Sequence, residues 1–552
     1  MRKRIVTALL ASAMMLSLLA GCYTETTVPV ESTDTDVTTS AQSETPSSSS
    51  EETTTSQTTT TSQTTTSTTS TTTSTSPTTA RFPYSLIKRL KSSSATGGNN
   101  GGGTGAGDNG GGTVVPPADI PGEANNYYDE YRAYVSVADV IMMRGRAGMN
   151  RDNPTGGGFW KPKQSNGWFN LITHMDFSDG GSGDSTLWPY GAYMEGVGAQ
   201  LSATKASGMN TNLLAEEEYE KLLDNVYNFT VTDLSNGDYL ALQCVQGTGG
   251  AQIFNDDDVW IAMEMINAYE LTGEQQYLTD ARRILNFIFQ SWDETVQGGG
   301  IWWMPLEYRG GELPQKNACI NAPYAWAAAE IYQITGEEAY LNQAIMAYDW
   351  TKTRLWDSNR NLIYDKYVQS ATGGYSLDTN EFAYNTGCMI GAGAVLYEIT
   401  EDPSYREDAY LLAEGSANYF FTPRVEIRSD NAPADAAGAT GYWFNTITSQ
   451  SAPNLLWFHS NLIRGIFQLY ESELAVDGSA DPTYARIALN AVAVHTVNSG
   501  KTDNGYINPA FRSSSAPAAS DITPLGEGAA ARMMYMCDEF LRTYDDFERS
   551  AE

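Results

Sequence analysis

Basic residues are scarce in this chain: 33 Lys and Arg stand against 66 Asp and Glu, a formal charge of −33. That balance argues against nucleic acid as a partner, because phosphate contacts need basic patches, and against an anionic substrate held by charge alone. Histidine is scarcer still. The three present (His174, His459, His495) are widely separated, so no histidine-rich metal site is expected. The five cysteines show no zinc-like spacing. Cys244, Cys319, Cys388 and Cys537 lie far apart in mostly apolar settings and read as buried free thiols. No Gly-rich phosphate loop of the P-loop kind occurs. Beyond the first two dozen residues, no stretch approaches the ~18 uninterrupted apolar residues of a membrane-spanning helix.

What is present falls into three parts. Residues 1–22, "MRKRIVTALLASAMMLSLLAGC", give a basic start, a short apolar run and a small-residue exit, which reads as a secretory signal. Its end, Leu19-Ala20-Gly21-Cys22, resembles the lipobox of bacterial lipoproteins. That resemblance implies lipidation at Cys22, with export to the cell surface and membrane contact through this anchor alone. Ordinary cleavage and secretion is the alternative. Residues 23–118 are dominated by Ser, Thr and Gly, as in "TTTSQTTTTSQTTTSTTSTTTSTS". Such a segment cannot bury enough apolar surface to offset chain entropy and reads as a disordered tether. As a flexible coil it would reach about 50 Å, enough to lift a domain through a wall. The basic-apolar island "RFPYSLIKRLK" (Arg81–Lys91) inside it has no assigned role. Residues 119–552 are rich in aromatics and long enough for one large core.

That last part repeats itself. "INAYELTGEQQYLTDARRIL" is echoed by "AAEIYQITGEEAYLNQAIMAY" and "VLYEITEDPSYREDAYLLA". Thr272, Thr335 and Thr400 stand about 65 residues apart, and apolar residues recur at helical spacing on both sides. Each unit reads as a helix, a short turn and a second helix. About six such hairpins fit the domain. Stacked hairpins form either an open solenoid or a closed double ring. The long connectors between units favour the ring, an all-α (α/α)6 barrel, because loops gathered at one mouth can form a pocket.

The residues suited to chemistry fall between the hairpins. They are Trp188, the acids Asp256, Asp257 and Asp258, the pair Trp302 and Trp303, Asn317 and Asn321, Tyr364 and Asp365, and Tyr384 and Asn385. Aromatic faces stack on pyranose rings while amides and acids exchange hydrogen bonds with hydroxyls, so the set suits a neutral sugar polymer. Taken singly, most of these residues could equally serve the core or a turn. The acid triplet itself has three readings. Asn255 or Asp256 can cap a helix that acids at its start would favour. Calcium is a second reading, though the alternating ligands of an EF-hand loop are absent. The third is a carboxyl pair, one ionised nucleophile beside one acid whose pKa its neighbour raises.

"NDDDVW", "LTGEQQYL", "GGGIWW", "KNACIN" and "YNTG" together resemble glycoside hydrolase family 76, the endo-α-1,6-mannanases of bacteria and fungi. The resemblance covers roughly residues 120–545 and is most specific over Asp256–Gly387. It implies an (α/α)6 barrel that cleaves α-1,6-linked mannan with retention through two consecutive aspartates, without metal or organic cofactor. The family pattern of Asp-Asp, two variable residues and an aromatic falls on Asp256, Asp257 and Trp260. On that alignment Asp256 is the nucleophile and Asp257 the acid/base. The third acid leaves Asp257 and Asp258 as a second adjacent pair. Asp258, Trp302, Trp303, Asn317, Asn321, Tyr384, Asn385 and Trp188 are the expected sugar contacts, and the domain is expected to act as a monomer. The family's late Phe-Lys-Gly segment has no counterpart in "LLWFHSNLIRGIF", and residues 156–184 form a longer entry than usual. Two rivals stand beside this reading: a non-catalytic glycan-binding lipoprotein, and another enzyme on the same barrel such as an unsaturated uronyl hydrolase.

Overall fold

The computed structural model describes residues 138–139, 142, 186–208, 213–244, 252–424, 441–444, 452–499 and 524–544. The signal segment with Cys22, the tether, the island at 81–91 and the stretch 156–184 lie outside the described residues. Helices follow in pairs: α1 (Leu187–Ala206) and α2 (Leu213–Val226), α3 (Asn255–Thr272) and α4 (Gln275–Phe289), α5 (Ala318–Thr335) and α6 (Glu338–Leu355). They continue with α7 (Ala383–Thr400) and α8 (Pro403–Tyr419), α9 (Ala452–Asp477) and α10 (Thr483–Ser499), and α11 (Pro524–Thr543).

The repeated Tyr-x-x-Thr motif explains how each pair turns. Thr272 donates its hydroxyl to the Ala268 carbonyl (2.7 Å) and accepts the Glu274 N–H (3.1 Å). Thr335 does the same with Ile331 and Glu337, and Thr400 with Leu396 and Asp402. One hydroxyl thus closes the last turn and starts the next segment. The following residue takes a left-handed conformation, with Gly273 at φ 78° and Gly336 at φ 72°. Glycine carries no Cβ penalty there. In the third unit Glu401 adopts it instead, at φ 56°.

The odd-numbered helices form an inner ring. Each packs on the next, from α1 through α3, α5, α7 and α9 to α11, and α11 packs back on α1. The even-numbered helices lie outside, each against its own partner. This closed ring is the (α/α)6 arrangement expected from the connectors, and the open solenoid is excluded. Inner helices are buried almost throughout, α7 from Ala383 to Tyr397 without a break. Amphipathic patterning is therefore weak in α1, α3, α5 and α7 and strong in an outer helix such as α4. Backbones touch where glycines face each other: a Cβ on Gly387 would overlap the Leu462 backbone of α9, and one on Gly465 would overlap the Gly387 carbonyl.

Because short turns join inner to outer helix at one end, all inner N-termini meet at the other, the mouth. The connectors there include strands β1 (Gln315–Asn317), β2 (Trp356–Asp357), β3 (Leu362–Gln369) and β4 (Tyr375–Glu381). All pair antiparallel, in the order β1-β3-β2 with β4 also on β3. A further strand pair, β5 (Phe421–Arg424) and β6 (Gly441–Phe444), follows α8. Cys319, Cys388 and Cys537 are buried free thiols as expected. Cys244 is disulfide-bonded, contrary to the free-thiol reading, and isolated cysteines carry no spacing signal from which that pairing could be read.

Candidate active site

The inner helices place equivalent residues at equivalent heights. The second residue of α1 is Trp188, of α3 Asp256, of α5 Cys319 and of α7 Tyr384. These positions face the mouth, where the positive ends of the inner-helix dipoles converge and favour carboxylates. The fourth residues have another task. Asp258 accepts the backbone N–H of Leu242 at 3.3 Å, Asn321 that of Ile301 at 2.7 Å, and Thr386 that of Ile363 at 3.2 Å. Each of those N–H groups belongs to a residue bridged to the chain just after the preceding outer helix: Thr230 with Leu242, Trp292 with Ile301, Trp356 with Ile363. Asp, Asn and Thr therefore fill one structural role, an acceptor that pins the connector to the helix.

That repeat separates the three acids. Asp258 is 0% exposed and turned to its connector, so it offers nothing to a sugar in this arrangement. Asp256 is half-buried and Asp257 8% exposed. Capping also differs from expectation: Phe254 is the N-cap and contributes no side-chain bond, so Asn255 and the acids occupy the first turn itself. Asn255 is spent on the next connector, its N–H bonding the Trp303 carbonyl (2.9 Å) and its side-chain amide the Trp302 carbonyl (2.8 Å).

Hydrogen-bond donors distinguish the remaining pair. Asp256 accepts the Asp257 N–H on Oδ1 (3.1 Å) and the Cys319 thiol on Oδ2 (3.2 Å). The Trp303 indole N–H leans toward the same carboxylate without completing a hydrogen bond. Burial raises the Asp256 pKa while these donors pull it back, leaving it at about 6. No donor among the described residues is directed at Asp257. Burial first, and then the charges of Asp256 and Asp258, hold its carboxyl well above the usual carboxylate range. Burial does the same to Asp258.

Around the pair, Tyr384 faces Cys319 and Asp256 and stacks on Phe458 with ring centroids 4.3 Å apart. Trp260, Trp457 and Trp188 complete this aromatic floor, Trp457 lying edge-on to both other indoles. Below it the Trp457 indole N–H donates to Glu195 (2.9 Å), which is ion-paired with Arg532 (2.8 Å). At the rim, a register shift between Tyr364 and Lys366 makes Asp365 the extra residue of a β-bulge, a device that re-aims side chains. Asp365 pairs with Lys366 (3.1 Å) and reaches Asn385 (3.5 Å).

Several expected sugar contacts serve the scaffold. Asn321 bonds the Ile301 backbone with both its amide groups. Asn317 is buried and bonds Gln315 (3.3 Å). Trp302 is largely buried against the Lys316 ammonium, 4.6 Å from the ring centre. Fully buried Lys316 in turn gathers the carbonyls of Asp293, Val296 and Gly299. Trp303 packs on Phe254. The structure thus brings together Asp256, Asp257, Tyr384, Asn385 and Trp188, while Trp302, Asn317 and Asn321 shape the connector above them. Cys319, Lys366, Trp457 and Phe458 were missed. Their signal was phase: Cys319 holds in "KNACIN" the place that Asp256 holds in "NDDDVW".

A closed double ring with a carboxyl pair on aromatic flooring at its mouth defines a pocketed (α/α)6 barrel. The chain belongs to glycosyl hydrolase family 76, whose sequence model matches residues 158–508, more than half its length. It is similar to the mannan endo-1,6-alpha-mannosidase DFG5 of Saccharomyces cerevisiae, 25% identical over 235 residues, 40% of this chain and 48% of that protein. Mannan endo-1,6-alpha-mannosidase DCW1 of Candida albicans is 27% identical over 175 residues, 30% of this chain and 38% of that protein. The matches thus span about half or less of those relatives' own lengths. Among solved structures, the family 76 mannosidase Bt3792 of Bacteroides thetaiotaomicron superposes with a TM-score of 0.59 at 24% identity, covering 76% of this chain and 99% of that one. An inactive variant of the α-1,6-mannanase of Salegentibacter sp. HEL1_6, with two consecutive aspartates replaced by asparagine and α-1,6-mannotriose bound, gives 0.53 at 20% identity, covering 74% and 99%. At these identities the structural likeness speaks for the fold.

Proposed function

We propose that this domain hydrolyses the α-1,6-mannoside backbone of mannan internally and with retention of configuration, Asp256 acting as nucleophile and Asp257 as acid/base. The observation that carries the assignment is the one-sided distribution of donors. Hydrogen bonds to the charged form keep a carboxylate ionised, and a neighbouring charge keeps its partner protonated. Among the described residues, Asp256 receives two donors and Asp257 none. Asp256 attacks the anomeric carbon as Asp257 gives its proton to the departing glycosidic oxygen. Asp257, now ionised, takes a proton from water, whose oxygen displaces Asp256 from the same carbon. Tyr384 and Trp188 line the sugar path in this reading, while Asn385, as buried as Asp258, supports Asp365 from behind.

Charge supports mannan over a uronyl substrate. Among the described residues, the lysines near the mouth are engaged internally, Lys316 with backbone carbonyls and Lys366 with Asp365. Export to the cell surface and action as a monomer complete the proposal on the strength of the sequence alone. The test is to incubate purified domain with linear α-1,6-manno-oligosaccharides and follow product size and anomer by NMR. Retention requires the α-anomer first, in products of intermediate length. β-Anomer first would exclude the mechanism, and absence of product with binding retained would favour the non-catalytic reading.

A further inference from the structure

We infer that Cys319 is a positioning residue for Asp256, its thiol fixing the orientation of the carboxylate that attacks the sugar. This rests on the assignment of Asp256 as nucleophile. The inference goes beyond it by giving a role to a side chain that would otherwise count as inert core.

A carboxylate at the start of a helix can rotate about its last bond, and rotation exchanges the oxygen aimed at the substrate. The Asp257 N–H fixes Oδ1 at 3.1 Å, and Cys319 Sγ lies 3.2 Å from Oδ2. Two donors from two different helices hold the plane of the group. Cys319 can serve because it sits in the first turn of α5 at the same height as Asp256 in α3. The groups around the contact are Asp257 and Asp258 on α3, Asp365 and Lys366 on β3, and Tyr384 on α7. Burial, aided by the Asp256 and Asp365 charges, raises the thiol pKa. The sulfur therefore keeps its proton and remains a donor throughout the working pH range. A thiol is also a weak donor. It orients the nucleophile while withdrawing little of the negative charge that must attack, whereas a hydroxyl would bond the oxygen more strongly.

The test compares Cys319→Ala and Cys319→Ser with the unaltered chain on linear α-1,6-manno-oligosaccharides, measuring kcat, KM and the pH profile of kcat/KM. Loss of orientation in Cys319→Ala should lower kcat roughly tenfold to a hundredfold, with little change in KM. It should also move the acidic limb to higher pH, because a donor to the ionised form is gone. Cys319→Ser should recover most of kcat and move that limb the other way. An unchanged profile in Cys319→Ala, or a serine variant indistinguishable from the alanine one, would overturn the inference. Should Cys319→Ala fail to fold, the direction of the limb in Cys319→Ser decides alone. An unaltered chain inactive on the substrate would instead overturn the assignment of Asp256, and the inference with it. An active one with insensitive variants overturns only the role of Cys319.

Discussion

Asp258 holds the Leu242 backbone N–H at 3.3 Å, from the position in its helix where Asn321 holds that of Ile301. The third acid is thus the local form of an acceptor used three times among the described residues of the ring. An amide already fills the role one hairpin later, so Asp258→Asn is expected to fold and to retain activity within a few-fold. Asp256→Asn and Asp257→Asn should each fold but lose most activity, on the order of 10³-fold or more. Initial rates on α-1,6-manno-oligosaccharides, with circular dichroism as the folding check, compare the three. Activity lost on Asp258→Asn and kept on Asp256→Asn would move the catalytic pair to Asp257 and Asp258.

The rate should follow a bell in pH. In the proposed mechanism Asp256 must be ionised to attack, and its pKa is raised to about 6, chiefly by burial. As pH falls through 6 it takes up a proton and kcat/KM declines. Asp257 must carry a proton to assist departure, and burial with the Asp256 charge raises its pKa further. The alkaline limb therefore lies above the acidic one, and Asp257→Asn should abolish that limb for substrates whose leaving group needs no proton. A profile flat between pH 4 and 7 would contradict the role given to Asp256.

Much of this was legible in the sequence, for reasons that can be named. The hairpins could be read because Thr272, Thr335 and Thr400 do one job with one hydroxyl, and a turn that demands a left-handed residue tolerates few sequences. The acids stood out because carboxyls are costly to cluster. The family resemblance put the pair on Asp256 and Asp257, but the triplet by itself left Asp257 and Asp258 open, since the anchoring role is filled by Asp258, Asn321 and Thr386, which share only an acceptor oxygen. Trp302 was expected to meet sugar because tryptophan beside glycines suggests a platform. Its burial depends on Lys316, whose ammonium is held by three carbonyls that only the folded loop brings together. Cys319 escaped notice because its neighbour Asp256 is 63 residues away along the chain.

Stability should fall as the solution becomes more alkaline. Burial raises the carboxyls of Glu264 and Glu330 to about 7 and that of Glu539 to about 8, against an ordinary 4.5. Arg464 lies 3.5 Å from Glu330, yet desolvation outweighs that pairing. Groups whose folded pKa is raised bind protons that the unfolded chain has already released. The stability they confer is complete below pH 4.5 and is lost as pH rises through 7 to 8. The combined loss should be on the order of a few kcal/mol, seen as a lower Tm at pH 8.5 than at pH 5.5. Glu330→Gln, neutral at every pH, should flatten that dependence.

The α7–α8 hairpin carries a strain that the α3–α4 and α5–α6 hairpins avoid. Gly273 and Gly336 turn in the left-handed region at no steric cost, while Glu401 does so at φ 56° with a Cβ crowding its own backbone. Its N–H bonds the Tyr397 carbonyl at 2.8 Å, and the Thr400 hydroxyl braces the turn on either side. The conformation is therefore held by its surroundings. A left-handed residue with a side chain costs roughly 1–2 kcal/mol, and glycine removes that at some entropic expense in the unfolded chain. Glu401→Gly should thus raise stability by about 0.5–1 kcal/mol, measured by urea denaturation, with activity unchanged because the turn lies at the end of the barrel opposite Asp256. Gly336→Glu should show the reverse sign, and equal stability across the pair would mean that the turn relaxes to accept either residue.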